Sequence, residues 1–380
     1  MTDFQNVPAT ATGVIHIDLG QLAANWQALA KFVMPARCSG VVKANAYGLG
    51  LDRVVPALMK AGCQTFFVAT IDEAKDVRAL ASDAAIFVLD GLLPGAEKAL
   101  TDINAIPVLS SLEEFQDWSA HARKCNKALP TAMHIDTGLN RLGMTAVDIR
   151  ELAAGRTLLE KLNVYLIMSH LACADDPDDD MNARQLNVFE GLLPLLPTVA
   201  TSLAASDGLM LGAPYHTQLV RPGYALYGGQ ATKEPTAPVK PVVKVHARVL
   251  QVSEIVTGQT IGYSAIYKAT SPRRIATVAA GYADGVLRTS SAASGEAGGF
   301  VAFNGRLAPI VGRVSMDLIT VDITELDDET IHRGSWTELV GPTISLEDAG
   351  HGAKTIGYEI LTSLSKRFHR IYTGEDTITR

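Results

Sequence analysis

The chain has 380 residues, 47% hydrophobic and 19% charged, with Lys+Arg 33 against Asp+Glu 40 for a formal net charge of -7. That composition excludes wholesale disorder and fibrous repeats, and the acidic balance lacks the footprint of a nucleic-acid or anionic-membrane binder. A small-molecule protein of one large domain plus a smaller one, or of two moderate domains, is what remains.

The first 13 residues, MTDFQNVPATATG, carry no basic or apolar signal-peptide pattern, and no apolar run reaches the ~18 residues of a membrane span. The cysteines, Cys38, Cys63, Cys125 and Cys173, are scattered without a C-x-x-C pair, which predicts reduced thiols in a cytoplasmic protein and no thiolate metal site. A strand, VIHIDL at 14 to 19, precedes an amphipathic helix that starts at Asp18.

From about residue 39 the pattern alternates short apolar runs with longer helical stretches. The runs are SGVVK at 39 to 43, TFFVA at 65 to 69, AIFVL at 85 to 89, AIPVL at 105 to 109, TAMHI at 131 to 135, VYLIM at 164 to 168, TVATSL at 198 to 203 and HTQLV at 216 to 220. Between them lie helices predicted over 51–61, 71–81, 111–126 and 181–193, with Ser110 or Ser111 as N-cap and Gly62 as a stop. Eight continuous apolar runs alternating with helices predict a parallel sheet closed as a (β/α)8 TIM-like barrel. DDPDDD at 175 to 180 reads as a solvated loop and helix start. TKEPTAPVKP at 232 to 241 marks a linker. Beyond it VVKVHARVLQV, IGYSAIY, RIATVAAGY, GFVAF, APIVGRV, DLITVDI and TELVG predict a mostly antiparallel β domain, followed by one helix over about 357–366. The domains are therefore drawn as 14–240 and 241–380, with residues 1–13 associated with the second.

No G-x-G-x-x-G, Walker A, H-E-x-x-H or G-x-S-x-G pattern is present, so the corresponding nucleotide, metalloprotease and serine-hydrolase chemistries lack their minimal parts. Barrel enzymes work at the C-terminal ends of their strands. Lys43 ends the first run, Asp136, Asn140 and Arg141 follow the fifth, His170 the sixth and Ser206 the seventh, and Arg221 ends the eighth. A lysine ending a buried strand is either salt-bridged or a desolvated amine suited to Schiff-base chemistry.

VVKANAYG at 41 to 48 resembles the cofactor-lysine segment of the alanine racemases, fold-type III pyridoxal phosphate enzymes built from a barrel and a β domain. HIDTGLNRLG at 134 to 143, SHLACAD at 169 to 175, RPGYALYG at 221 to 228, IGYSAIY at 261 to 267, GYADG at 281 to 285, GRVSMD at 312 to 317 and GYEI at 357 to 360 resemble it too, in the family's order. The resemblance implies interconversion of L- and D-alanine for cell-wall peptidoglycan, in a homodimer with shared active sites. Lys43 and Tyr263 would be the two catalytic bases, Lys43 also binding pyridoxal 5'-phosphate covalently. Tyr47, Ser206, Gly223, Tyr224 and Tyr358 would hold its phosphate. Arg221 would face its pyridine nitrogen and His170 would support Arg221 and Tyr263. Arg141 would reach the cofactor's phenolic oxygen and, with the backbone of Met316, hold the substrate carboxylate, and Asp175, Tyr282, Arg288, Arg313 and Ile356 would line the entrance.

Three positions depart from the family pattern. His134 stands where a carbamylated lysine is common, so a small anion or a repositioned acid is expected beside Arg141. Leu49 and Ala205 replace a frequent His and Asn, which loosens substrate specificity. A broader amino-acid racemase, for example of serine, would share these residues. A fold-type III decarboxylase would use an acid at the pyridine nitrogen and a β-domain cysteine, whereas all four cysteines precede residue 241. A single-barrel pyridoxal phosphate carrier would lack the second domain.

Overall fold

The computed structural model describes residues 4–155, 158–232, 237–326 and 329–379. They fall into two compact units, one within 22–240 and 377–379, the other within 4–21 and 241–376.

The first unit is built on a seven-stranded parallel sheet, Gly40–Val41, Thr65–Val68, Ala85–Val88, Ile106–Leu109, Leu129–His134, Leu162–Met168 and Ala200–Ser202, hydrogen-bonded in that order. Its strands are short and apolar because they are buried on both sides: Phe66, Phe67, Val88 and Val108 are all fully buried, and Phe67 stacks on Phe87 with centroids 4.7 Å apart. Burying each such side chain is worth about 1.5–3 kcal/mol. The eighth run contributes only Leu219–Val220, which pairs in parallel with Arg37–Cys38. The amides of Ser39 and Val41 donate to the carbonyls of Val220 and Pro222, and on the other flank Gln218 and Arg221 donate to Thr201 and Ala204. The eighth strand thus joins the first to the seventh and closes the barrel. The run predicted at 216 to 220 is shorter than expected because His216 ends a helical turn, Ala213–His216, and Thr217 takes a positive φ of 52°.

The covering helices follow their end signals. Ile71–Leu80 and Leu112–Cys125 begin in capping boxes formed by Thr70 with Glu73 and Ser111 with Glu114, and Leu51–Ala61 stops at Gly62, φ 114°. Asp180–Leu192 is capped by Asp179, so the acidic run does serve as a helix start.

The second unit is mostly antiparallel. Val243–Ile255 is its long strand, pairing with Arg273–Val278 and Trp336–Val340, while Phe300–Phe303 pairs with Arg306–Pro309 and Arg273–Val278 with Ile319–Asp322. Gly13–Asp18 lies antiparallel to Val243–Ile255 and parallel to His369–Thr373. The boundary drawn from the sequence lies at residue 14; backbone pairing groups that strand with the β unit, and the compact barrel unit runs from Leu22. Ahead of it Phe4 stacks on Trp336 at 4.7 Å and the Arg248 amide donates to the Thr12 carbonyl. A helix not foreseen in the sequence, Leu346–Gly352, precedes the expected one, which spans Gly357–Ser363. The middle of the predicted linker, 233–236, lies outside the described residues.

Candidate active site

The chain after the first barrel strand turns sharply. Ala44, Asn45, Ala46 and Tyr47 all take left-handed φ values of 52° to 55°. Such a conformation costs L-residues roughly 1–2 kcal/mol each, so it persists only where the surroundings enforce it. They do: Glu73 accepts from the Ala44 amide at 2.6 Å, Asn45 Oδ1 accepts from the Leu51 amide at 2.9 Å, and Gly48 donates back to Ala44. The turn brings Lys43 and buried Tyr47 to one end of the barrel. Burial holds the Lys43 amine below its ordinary value, and the Arg141 charge lowers it further, against a weaker pull from Glu73 and Asp90.

Arg221, 3% exposed, is the electrostatic centre of that mouth. Its guanidinium donates to Ser202 Oγ at 2.5 Å, to the Ser169 carbonyl at 2.7 Å and to the Leu203 carbonyl at 3.3 Å, and lies 3.4 Å from His170 Nδ1. The guanidinium carbon stands 6.0 Å from the Phe67 ring centre. A guanidinium has only donors, so this contact makes His170 Nδ1 the acceptor and leaves the imidazole proton on Nε2. Burial and the charge of Arg221 push His170 down to about 3, so it is neutral.

Ser206, Tyr47 and Gly223 form a neighbouring cradle. Ser206 Oγ accepts from the amides of Gly223 at 3.0 Å and Ala225 at 3.1 Å, and Tyr224 is fully buried beside them. A Cβ at Gly223 would lie 2.2 Å from the Tyr47 hydroxyl oxygen, so only glycine permits this approach. A hydroxyl, a phenol and adjacent backbone amides are the donor set that phosphate takes. The fit to a phosphorylated, carbonyl-bearing cofactor is therefore good: an amine of lowered basicity, a fixed cation and a phosphate cradle share one barrel mouth.

His134 is buried, pushed down to about 4 by burial and Arg221, with Nδ1 3.4 Å from Ser110 Oγ. Asp136 Oδ1 is occupied by the amides of Gly138 and Asn140. Arg141 is exposed and, among the described residues, makes no side-chain hydrogen bond or ion pair. The expected repositioned acid beside Arg141 is thus not found, because the adjacent carboxylate is spent on its own turn. Asp175 lies exposed in the loop before Asp179.

The remaining sequence-predicted residues belong to the β unit. IGYSAIY does not form the strand expected of it: Thr260–Ile261 pairs with Tyr267–Lys268, and between them Gly262, Ser264 and Ala265 take positive φ, which lifts Tyr263 onto a turn at 72% exposure. Gly262 lies 3.5 Å from the Arg313 amide nitrogen, measured from where its Cβ would stand. Tyr282 and Ala283 donate to the carbonyls of Ser315 and Met316, an approach that a Cβ at Gly281, 2.3 Å from the Met316 oxygen, would block. Val314 donates to Ser291 Oγ, which itself donates to the Arg288 carbonyl. Ile356 caps the helix that carries Tyr358, and the Ser365 amide beyond its end donates to the Asp284 carbonyl. The loops of Tyr263, Tyr282, Arg288, Arg313 and Met316 are thereby gathered on one part of the β unit.

Sequence reasoning missed three residues that hold the mouth. Ser202 ends the seventh strand and the C-terminal-end rule would have found it. Glu73 and the Ser169 carbonyl carry no such signal, since one is spent in a capping box and the other is backbone.

The fold and mouth define a barrel enzyme of pyridoxal phosphate chemistry with an appended β domain. The family model for the alanine racemase N-terminal domain matches residues 17–231, and that for the alanine racemase C-terminal domain matches 242–372. The alanine racemase of Methylobacterium nodulans is 45% identical over 358 residues, 94% of this chain and 95% of that protein, and the catabolic alanine racemase of Agrobacterium fabrum is 44% identical over 97% of this chain and 94% of its own length. The crystal structure of the Bartonella henselae alanine racemase with covalently bound pyridoxal phosphate superposes with a TM-score of 0.91 at 42% identity, covering 96% of this chain and 100% of that one. That of the biosynthetic Pseudomonas aeruginosa enzyme gives 0.88 at 32%, over 96% of this chain and 100% of that one. This chain belongs to the alanine racemase family.

Proposed function

We propose that this chain interconverts L-alanine and D-alanine with pyridoxal phosphate bonded to Lys43. The observation that carries the reading is the mouth just described, where Lys43, the Arg221–His170 pair and the Tyr47–Gly223–Ser206 cradle converge in a chain of this family. When bound, the cofactor withdraws electrons from the substrate's α-carbon and acidifies its proton. The Lys43 amine, already depressed by burial and Arg141, takes or returns that proton on one face. The Tyr263 hydroxyl does so on the other, since inversion through a planar centre needs a base on each side. Burial pushes Arg221 down to about 9, still above neutral pH, so it stays protonated and would offer the pyridine nitrogen of a bound cofactor a hydrogen bond without giving up its proton. Arg141 and the Met316 backbone hold the substrate carboxylate; Asp175, Tyr282, Arg288, Arg313 and Ile356 line the approach; Tyr358 joins the phosphate contacts.

Met316, Leu318, Ile356 and the aromatic Tyr263 and Tyr282 are exposed on the β unit, which supports a homodimer in which this surface completes a partner's site. The four cysteines are free, which supports a reducing, cytoplasmic compartment, and there the racemase would supply D-alanine for peptidoglycan.

The test is incubation with L-alanine and pyridoxal phosphate in D2O, following α-proton loss by NMR and chirality by chromatography. Exchange with D-alanine formation supports the reading, and Lys43→Ala and Tyr263→Phe should each abolish inversion. No exchange in the wild-type enzyme would overturn it.

A further inference from the structure

We infer that Gln185, a residue of the helix Asp180–Leu192, is a positioning residue that sets the orientation of His170 against Arg221; the catalytic meaning of this rests on the function proposed above. Gln185 is fully buried, at 0% exposure. Its carbonyl oxygen accepts from the Ala172 amide at 2.7 Å, and its amide group donates to the His170 carbonyl at 2.9 Å and to Thr137 Oγ1 at 3.1 Å. One side chain thereby grips the backbone on both sides of Leu171 and ties it to the loop after strand Leu129–His134. Thr137 Oγ1 in turn lies 2.8 Å from Ser169 Oγ. The two residues whose backbone or ring Arg221 contacts here, Ser169 and His170, are thus each linked to Gln185, one through Thr137 and the other directly.

The chemistry favours positioning over a merely stabilising role. His170 follows the last strand residue by two positions and sits outside the sheet ladder, so no strand pairing fixes its backbone. Its ring contacts the guanidinium at 3.4 Å, a long contact that small rotations of the loop would break. Losing it frees Nδ1 from the acceptor role and with it the preference for the Nε2-protonated form. One helical turn earlier on the same face, buried Asn182 donates to the carbonyls of Cys173 and Asp176, so the helix splints the whole segment from 170 to 176.

The experiment compares Gln185→Met, which keeps length and removes every hydrogen bond, with Trp118→Phe, which removes a buried donor to Pro130 and Thr131 far down the barrel wall. The first readout is the 15N spectrum of His170 in the cofactor-free protein. The wild type should show one neutral form with Nδ1 unprotonated, and Gln185→Met a mixture of the two. The second is steady-state racemisation, where Gln185→Met should lower kcat about 10-fold with KM for L-alanine within about twofold, the scale expected for a displaced supporting group. Trp118→Phe should lower Tm and leave both readouts unchanged. An unaltered His170 spectrum in Gln185→Met, or a kcat loss matched by Trp118→Phe at equal Tm, overturns the inference. If Gln185→Met does not fold, Gln185→Leu, a smaller side chain that also removes every hydrogen bond, must give the same spectral change. A spectral change in a protein that does not racemise alanine would leave the positioning intact and overturn the proposed function instead.

Discussion

Arg221 and Ser202 meet at 2.5 Å inside the barrel, the guanidinium donating to a hydroxyl that itself donates to the Leu219 carbonyl. The pair links the seventh strand to the eighth at the depth where the eighth is only two residues long. Ser202→Ala should therefore act on both fold and chemistry. Removing the acceptor from a buried charged donor costs about 1.5–3 kcal/mol, and urea unfolding should read it directly. Arg221→Lys keeps the charge and loses the fork that serves Ser202, Ser169 and Leu203 together, so kcat should fall more than the stability does. Equal melting curves for Ser202→Ala and wild type would remove this pair from the barrel's closure.

The phosphate cradle makes a sharper prediction. A methyl at Gly223 would stand 2.2 Å from the Tyr47 hydroxyl oxygen and 2.9 Å from the carbon bearing it. Tyr47 cannot swing away freely, because its ring packs 4.9 Å from that of buried Tyr227. Gly223→Ala should weaken pyridoxal phosphate binding about 10- to 100-fold while pyridoxal without its phosphate binds nearly as before, a difference of roughly 1.4–2.8 kcal/mol at the phosphate. Equilibrium dialysis with both compounds measures it, and a matching loss for pyridoxal would place the effect elsewhere.

Acid should destabilise the barrel unit through its two buried histidines. His134 and His170 are pushed down to about 4 and about 3, while the unfolded chain titrates near the ordinary 6.5. As pH falls below about 6.5 the unfolded state takes up protons that the folded state refuses, so their stabilising effect, complete above that pH, is lost progressively toward pH 4 and below. His134→Gln and His170→Gln should each flatten the fall of Tm between pH 6.5 and 4. An undiminished slope in both variants would mean that other groups drive the acid transition.

Much of this architecture was legible because apolar runs and cap residues are local signals. Ser111 and Gly62 mark helix ends in sequence as they do in space, while the Thr70 cap emerged only in the structure. Strand extents were less legible: the eighth run overlaps a helical turn, and IGYSAIY reads as β-rich although Gly262 and two left-handed residues fold it into a turn. The strand Gly13–Asp18 stands outside the eight barrel runs in sequence, and its pairing with a partner some 230 residues away assigns it to the other unit. Lys43, Arg221 and Ser206 followed from the rule of strand ends. Gln185 did not, since a glutamine on an amphipathic helix carries no pattern until its partners are known.

The Arg141 charge lowers the Lys43 amine as its second cause after burial. Arg141→Gln should therefore raise the basicity of Lys43, and the pH dependence of pyridoxal phosphate attachment, followed by absorbance, should move to higher pH. Direction alone decides the matter: a shift to lower pH would mean that the mutation buries Lys43 further.

With His134 in place, no carboxylate among the described residues is bonded to Arg141. Arg141 has no side-chain partner among the described residues, Asp136 is spent on two amides, and His134 itself stays neutral above about pH 5, adding neither charge nor counter-charge. A cation half in water attracts a small anion, and one bound there would orient the guanidinium as a carboxylate does. Racemisation should then rise saturably with chloride or bromide at constant ionic strength, and His134→Lys, able to take up carbon dioxide, should lose that dependence. Crystals grown in bromide should show an anomalous peak beside Arg141. An empty map there, with kinetics indifferent to the halide, would mean that solvent alone suffices at this position.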